Sequence, residues 1–368
     1  MTDTQSLNSG SAGRSVYLVG VGGSLPPFRY TNRELAPHFN CDEATADRYE
    51  AATGVHARHS VVDHAEGRQK VLGETLAADA ARIALEAANV PTHKIDCLVS
   101  SASSLDFMLP SLGPRILKLL GVRQAATYDL YGGCAEFLAG VNMATHMIRS
   151  GAVDTAVVTA SETLTSFSKQ VRFPVDAFIF GDAGGAFVLS SDPGDGSHPV
   201  FEIAETVAAT LSEYEGEETE IIVQPVTGYK YEFDMYRYDD KVDERMAATA
   251  TDGIPEEYRW SHNIKLAGRM APFGMLEGFK QVTTRSTADG GAVLCHQGTQ
   301  PVIDATQEKL PTGWNAINNL AERGNLSTVC VPMAAYEHLD TIVAAPEVVA
   351  TAVGVGFTYA AARLVPVS

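Results

Sequence analysis

The stretch of this chain best suited to chemistry is Asp129-Leu130-Tyr131-Gly132-Gly133-Cys134-Ala135-Glu136-Phe137, where a strand pattern ends and a helical one begins. Two glycines permit a sharp turn there, and Cys134 opens the helix. Backbone N–H groups and the partial positive charge of a helix start favour thiolate over thiol, and thiolate is the nucleophile. The helix itself is well marked. Phe137, Leu138, Val141, Ala144 and Ile148 recur at helical spacing, Arg149 falls in the last turn, and Gly151 stands at the C-terminal cap position. Most cysteines, however, are packed structural residues. The assignment therefore depends on what else in the chain could meet this one.

Three places downstream could. His296 follows an apolar run in Leu294-Cys295-His296-Gln297-Gly298, where an α/β sheet presents functional groups beyond its strand ends. Asn325 stands in a glycine-led loop before a helix, and Gly354-Val355-Gly356 is a turn able to offer backbone N–H groups. Singly, the histidine reads as an ordinary satisfied polar residue and the asparagine as an N-cap.

Holding such groups together requires a scaffold, and from Gly73 the chain alternates helix and strand. The periodicity predicts helices over 74–88 and 111–120, strands over 95–101 and 125–130, and, after the cysteine helix, strands over 153–160 and 178–189. A turn-rich run, Asp192 to Pro199, then divides a first half (15–192) from a second (200–368). The second half reads as a strand over 201–206, a helix over 264–284, a strand over 292–295, helices over 301–310 and 328–339, and closing strands. Alternation of this kind implies a parallel or mixed sheet covered on both faces. The comparable order in both halves suggests a duplication without a visible sequence repeat. Residues 207–260 break the pattern with an acidic cluster over 213–220 and the aromatic run Tyr229, Tyr231, Phe233, Tyr236 and Tyr238, and read as a solvated excursion in preference to a substrate-channel wall.

Composition narrows the function. The chain has 368 residues, 45% hydrophobic and 20% charged, enough for two domains or one duplicated body. A formal net charge of −18 argues against nucleic acid or an anionic membrane surface as partner. Five cysteines with no CxxC pair and no metal-type spacing indicate free thiols, a reducing cytoplasm and no metal site. Met1–Arg14 is polar and reads as a disordered tail. Val348–Ala361 is too short for a membrane span of about 18–20 residues and reads as a buried strand pair. Gly20-Val21-Gly22-Gly23 resembles a dinucleotide loop, but Pro26 and Pro27 follow where a helix would have to start, so a plain turn is expected. His56 and His59, with Arg58 between them, read as surface loop and not as metal ligands.

Together the motifs resemble the ketoacyl synthase III branch of the thiolase-fold condensing enzymes. The Gly-Gly-Cys134-Ala-Glu-Phe elbow is similar to that family's active-cysteine stretch, and Phe180-Gly181-Asp182-Ala183-Gly184-Gly185-Ala186 to its glycine-rich loop. His296-Gln297-Gly298-Thr299 is similar to its His-Gln-Ala-Asn, Gly324-Asn325-Leu326-Ser327 to its Gly-Asn-Thr-Ser, and Gly354-Val355-Gly356-Phe357-Thr358-Tyr359 to its closing glycine run. The five motifs keep the family's order between about Val16 and Leu364.

The resemblance implies a five-layered α-β-α-β-α thiolase-like fold of two similar halves, and a cytoplasmic homodimer. It implies Cys134, His296 and Asn325 as catalytic residues, the N–H groups of Cys134 and Val355 as oxyanion hole, and Arg48, Leu109 and Phe180 as substrate contacts. An acyl-CoA or acyl carrier protein and a malonyl-type thioester are the implied substrates. No cofactor is implied beyond the CoA or phosphopantetheine that substrates bring in. Physically the set suits decarboxylative condensation, with a neutral histidine and an asparagine amide donating to an enolate oxygen. Four residues depart from the pattern: Glu136 where a small residue is usual, Arg48 where a tryptophan would stack on adenine, Thr299 for the motif's asparagine, and Pro301 for a basic residue. They point toward specialised metabolism. Acyl transfer to a hydroxyl or amine is the competing chemistry, and a non-catalytic partner subunit the competing class.

Overall fold

The computed structural model describes residues 13–170, 174–211, 222–223, 261–262 and 264–367. One mixed ten-stranded sheet runs through the molecule. The first half contributes β1 (Tyr17–Ser24), β2 (Cys97–Ser101), β3 (Ala126–Leu130), β4 (Thr155–Glu162) and β5 (Ala183–Ser190). The second contributes β6 (Phe201–Thr210), β7 (Gly291–Cys295), β8 (Trp314–Ala316), β9 (Val348–Gly354) and β10 (Thr358–Pro366). Across the sheet the order is β8-β7-β9-β10-β6-β1-β5-β4-β2-β3.

From the centre outward, each half is the same arrangement: its first strand, then its fifth, fourth, second and third. The pairings repeat too, antiparallel twice and then parallel twice. The halves join where β1 meets β6 antiparallel, with Tyr17 opposite Glu202 and Leu18 opposite Phe201.

The described helices of at least eight residues are α1 (Glu43–Thr53), α2 (Gly73–Ala87), α3 (Leu112–Leu120), α4 (Glu136–Arg149), α5 (Ile264–Thr283), α6 (Gln300–Lys309) and α7 (Cys330–Glu337). The helices α2 and α3 cover the outer face of the first half, and α5 with α6 that of the second. Between the half-sheets lie α4 and α7, each packing on strands of both halves. Five layers result. Cys330 to Ala335 in α7 are all buried, an all-round apolar helix that only a central layer can accommodate. Among the described residues no helix is long and apolar enough to cross a membrane.

Several expectations are corrected. The glycines at 20–23 do not turn; β1 continues to Ser24. A Cβ on Gly22 would stand 2.1 Å from the Ala80 carbonyl oxygen, and one on Gly184 2.2 Å from that of Leu76. Glycine is required there because the α2 backbone lies directly on the sheet. Arg58 is not on a surface loop: it is fully buried in the strand Ala57–Ser60, which pairs with Phe28–Thr31. Its Nη2 donates to Asn32 Oδ1 (2.5 Å) and the Phe178 carbonyl (2.6 Å), and burial lowers its pKa to about 9. The expected tail ends earlier than Arg14, which pairs with Asp154; residues 1–12 lie outside the described residues. The excursion expected from residue 207 starts later, since β6 runs to Thr210, and its acidic and aromatic clusters lie outside the described residues.

Candidate active site

Beyond β3, Gly133 adopts φ +137°, and Cys134 follows it two residues ahead of the first helical residue of α4. The turn is pressed against the end of β9. A Cβ on Gly354 would lie 3.0 Å from the Cys134 nitrogen and 2.9 Å from that of Ala135; one on Gly133 would lie 2.8 Å from Val355 Cγ2 and 3.3 Å from the Val355 nitrogen. Glycine at both positions thus lets the strand end of the second half approach the cysteine turn of the first, with the Val355 amide beside it.

His296 immediately follows β7, is buried, and donates its backbone N–H to the Thr351 carbonyl on β9 (2.9 Å). The adjacent Gln297 pins this loop, donating to the Ile317 carbonyl (3.2 Å) and accepting from the Asn319 N–H (3.0 Å). Asn325 is buried and held from the other half: its N–H donates to the Ile179 carbonyl (2.9 Å) and its carbonyl accepts from Gly181 N–H (3.1 Å). Its side-chain Oδ1 accepts from Ser327 N–H (2.8 Å) and from the Cys330 thiol (3.7 Å). The Ser327 N–H on Oδ1 orients the amide and leaves its Nδ2 hydrogens as donors, while the Cys330 thiol is shared between Oδ1 and the Gln297 carbonyl (3.9 Å). Ser327 in turn has its Oγ 3.4 Å from Cys134 Sγ.

Around the sulfur stand groups that the motif reading did not include. Ser327 Oγ is 2.8 Å from Ser103 Oγ. Glu162, fully buried at the end of β4, accepts from Ser103 N–H, from Ser104 N–H and Oγ, and from Thr328 N–H and Oγ1, at 2.6–3.3 Å. That carboxylate ties the loop after β2 to the Asn325 turn of the other half. Its trace in the sequence is a lone acidic residue closing the apolar run of β4, with serines at 100, 101, 103 and 104.

Electrostatics at Cys134 run against the expectation of a resting thiolate. Burial pushes its thiol from an ordinary 9 up to about 12; the bond to Ser327 lowers it, while Glu162 and Glu136 raise it further. Such a rise disfavours the thiolate by about 4 kcal/mol. A helix N-terminus returns at most about 2 kcal/mol, and less from two residues ahead of the helix. Cys134 is only half-buried, so the balance favours the thiol over the thiolate by less than full burial would. The Glu136 carboxyl folds back over Gly132, where a Cβ would sit 2.1 Å from its Oε1, and burial raises its pKa.

The three residues expected at the substrate fall in different places. Phe180 is buried and bridges to Asn325 through the backbone. Arg48 is exposed on α1, its Nη2 donating to Thr45 Oγ1 within the same helix (2.7 Å). Leu109 is 69% exposed between β2 and α3. Among the described residues, neither Arg48 nor Leu109 shares a hydrogen bond or core cluster with Cys134, His296 or Asn325.

A duplicated half with a cysteine elbow after its third strand defines the thiolase-fold condensing class, and comparison with known proteins agrees. Residues 128–206 match the family 3-oxoacyl-[acyl-carrier-protein (ACP)] synthase III, and residues 283–365 its C-terminal counterpart. A beta-ketoacyl-[acyl-carrier-protein] synthase III of Sphingopyxis alaskensis is 29% identical over 95% of this chain and 99% of its own length. Among solved structures, the 3-oxoacyl-(acyl carrier protein) synthase III FabH of Pseudomonas aeruginosa superposes with a TM-score of 0.74 at 22% identity, covering 96% of this chain and 98% of that one. AbyA1, a tetronic acid condensing enzyme, superposes with a TM-score of 0.77 at 17% identity, covering 95% and 99%. The chain is thus similar, along nearly its whole length, to the ketoacyl synthase III-like condensing enzymes, which are transferases.

Proposed function

We propose that the protein accepts an acyl group from an acyl-CoA or acyl carrier protein onto Cys134 and condenses it with a malonyl-type thioester, with loss of carbon dioxide. Cys134 attacks the thioester carbonyl, and the N–H groups of Cys134 and Val355 hold the oxyanion. Decarboxylation of the second thioester then builds charge on an enolate oxygen. His296 and the Nδ2 of Asn325 donate to it, and the carbanion attacks the acyl group on sulfur. The observation that supports this reading most is the orientation of Asn325, whose Oδ1 is occupied by Ser327 N–H and Cys330. A fixed amide donor suits a developing anion; a general base for an alcohol acceptor would call for a carboxylate there.

The chemistry calls for no resident cofactor, since CoA or phosphopantetheine arrives with substrate. Glu136 and Arg48 favour a specialised polyketide or fatty-acid-like pathway in the cytoplasm. A homodimer is supported by β3, which among the described residues ends the sheet with an unpaired edge and exposes Tyr128 and nearby Tyr131. A second copy would cover that edge.

The test is incubation with a panel of acyl-CoAs, read by intact mass and peptide mapping, followed by labelled malonyl thioester. Acyl label on Cys134 and release of carbon dioxide are expected. Label on Cys295 or Cys330 with Cys134 clean would overturn the assignment.

A further inference from the structure

A thiol held up to about 12 must lose its proton as it attacks, and the proposed function assigns no group to take it. The structure offers a path. Ser327 Oγ lies 3.4 Å from Cys134 Sγ, and Ser103 Oγ lies 2.8 Å beyond it. Cys134 and Ser103 are both half-buried and Ser327 between them is buried, so the hydroxyls join the sulfur to a second point of contact with water. Ser327 also adopts φ +48°, a left-handed conformation that serine seldom takes and glycine takes freely. A turn that needed only its shape would be better served by glycine, so the hydroxyl is the feature that the strain secures.

We propose that Ser327 and Ser103 form a proton relay for acylation of Cys134, positioned by the buried Glu162. The proposal rests on the reading of Cys134 as nucleophile. As the sulfur–carbon bond forms, the Cys134 proton passes to Ser327 Oγ, the Ser327 proton to Ser103 Oγ, and the Ser103 proton to water. The acyl–sulfur bond of the donor breaks, and the departing thiolate takes a proton from water, so the sum is one thioester exchanged for another. Glu162 acts through others: accepting from Ser103 N–H and from Thr328 N–H and Oγ1, it fixes the two hydroxyl-bearing loops, one from each half. Ser327 touches the reacting sulfur and is catalytic; Ser103 and Glu162 are positioning and relay groups. The other titratable groups that act on Cys134 are Glu136 on its own helix and Cys330 on α7.

Ser327→Gly tests this without endangering the turn, because glycine suits φ +48° and the Ser327 N–H bond to Asn325 survives. Single-turnover acylation by an acyl-CoA, followed by intact mass in H₂O and D₂O, should slow by about 10²-fold, a general acid–base contribution. The pH profile for alkylation of Cys134 by iodoacetamide should move to higher pH, since a donor to the thiolate is lost. Ser103→Ala should slow acylation by about tenfold and reduce the solvent isotope effect. It should leave the alkylation profile in place, because Ser103 does not touch sulfur. Acylation of Ser327→Gly at the wild-type rate with an unmoved profile would overturn the relay while leaving Cys134 as nucleophile. Absence of acyl label on Cys134 in the wild type would overturn the nucleophile assignment and the relay together.

Discussion

The two halves place loops at the same topological positions and load them with opposite chemistry. After its third strand the first half presents Cys134; the second presents Asn325 and Ser327. After the second strand the first half presents Ser103 and Ser104, and the second presents His296. At the end of the fourth, the pair is Glu162, the last residue of its strand, and Val355, the first beyond its own. A cysteine thiol and a buried acid thus come from one half, and an imidazole, an amide and a hydroxyl from the other. Duplication supplied two equivalent sets of strand ends, and neither half had to accommodate a whole site. The contacts that make one site of them are short and cross the midline: Cys134 to Ser327, and Glu162 to Thr328.

Forcing the halves apart at that midline should have the largest effect. Gly354→Ala puts a methyl 3.0 Å from the Cys134 nitrogen, a contact with rigid backbone. The variant should fold with a loss of about 1–3 kcal/mol, the usual range for overpacking, seen as a lower melting temperature. Its acyl-Cys134 formation should fall by about 10²-fold, as for a 1 Å misplacement of reacting groups. Retained acylation at the wild-type rate would show that the strand end of the second half does not help shape the cysteine turn.

A smaller effect is expected from charge within the first half alone. Glu136→Gln removes a carboxylate that raises the Cys134 thiol. Alkylation of Cys134 at pH 7.5 should quicken about threefold. In both proteins the rate should climb about tenfold per pH unit from 7 to 9, because the thiolate fraction is still growing far below the thiol's pKa. A wild-type plateau near pH 8.5, the ordinary range of a free cysteine, would contradict the raised thiol.

Much of this arrangement was legible before any coordinates. Residues after strands are exposed to chemistry, so Cys134, His296 and Val355 could be proposed from apolar runs that stop at a glycine turn or a polar residue. Ser103, Ser327 and Glu162 could not, because their meaning lies in contacts between residues far apart in sequence; singly, they are a serine in a loop, a serine in a motif and an acid closing a strand. The glycines of β1 misled because glycine marks a turn and a close backbone approach alike. The helix α1 was missed for want of an apolar stripe: only Ala46 and Thr53 are buried, and its signals are the Asp42 cap and Gly54 in the left-handed conformation. The strand β8, three residues long, has too few positions to show a period.

The central claim is that the second half supplies donors to an enolate, and Asn325→Asp tests it most directly. Carbon dioxide release from labelled malonyl thioester is measured beside acyl-Cys134 formation in wild type and variant. A carboxylate set against the developing charge should lower release by about 10²–10³-fold, the loss typical of one such donor, with cysteine acylation retained. No release by the wild type from any malonyl or alkylmalonyl thioester, together with faster transfer to alcohol acceptors by the aspartate variant, would contradict condensation and make the protein an acyltransferase.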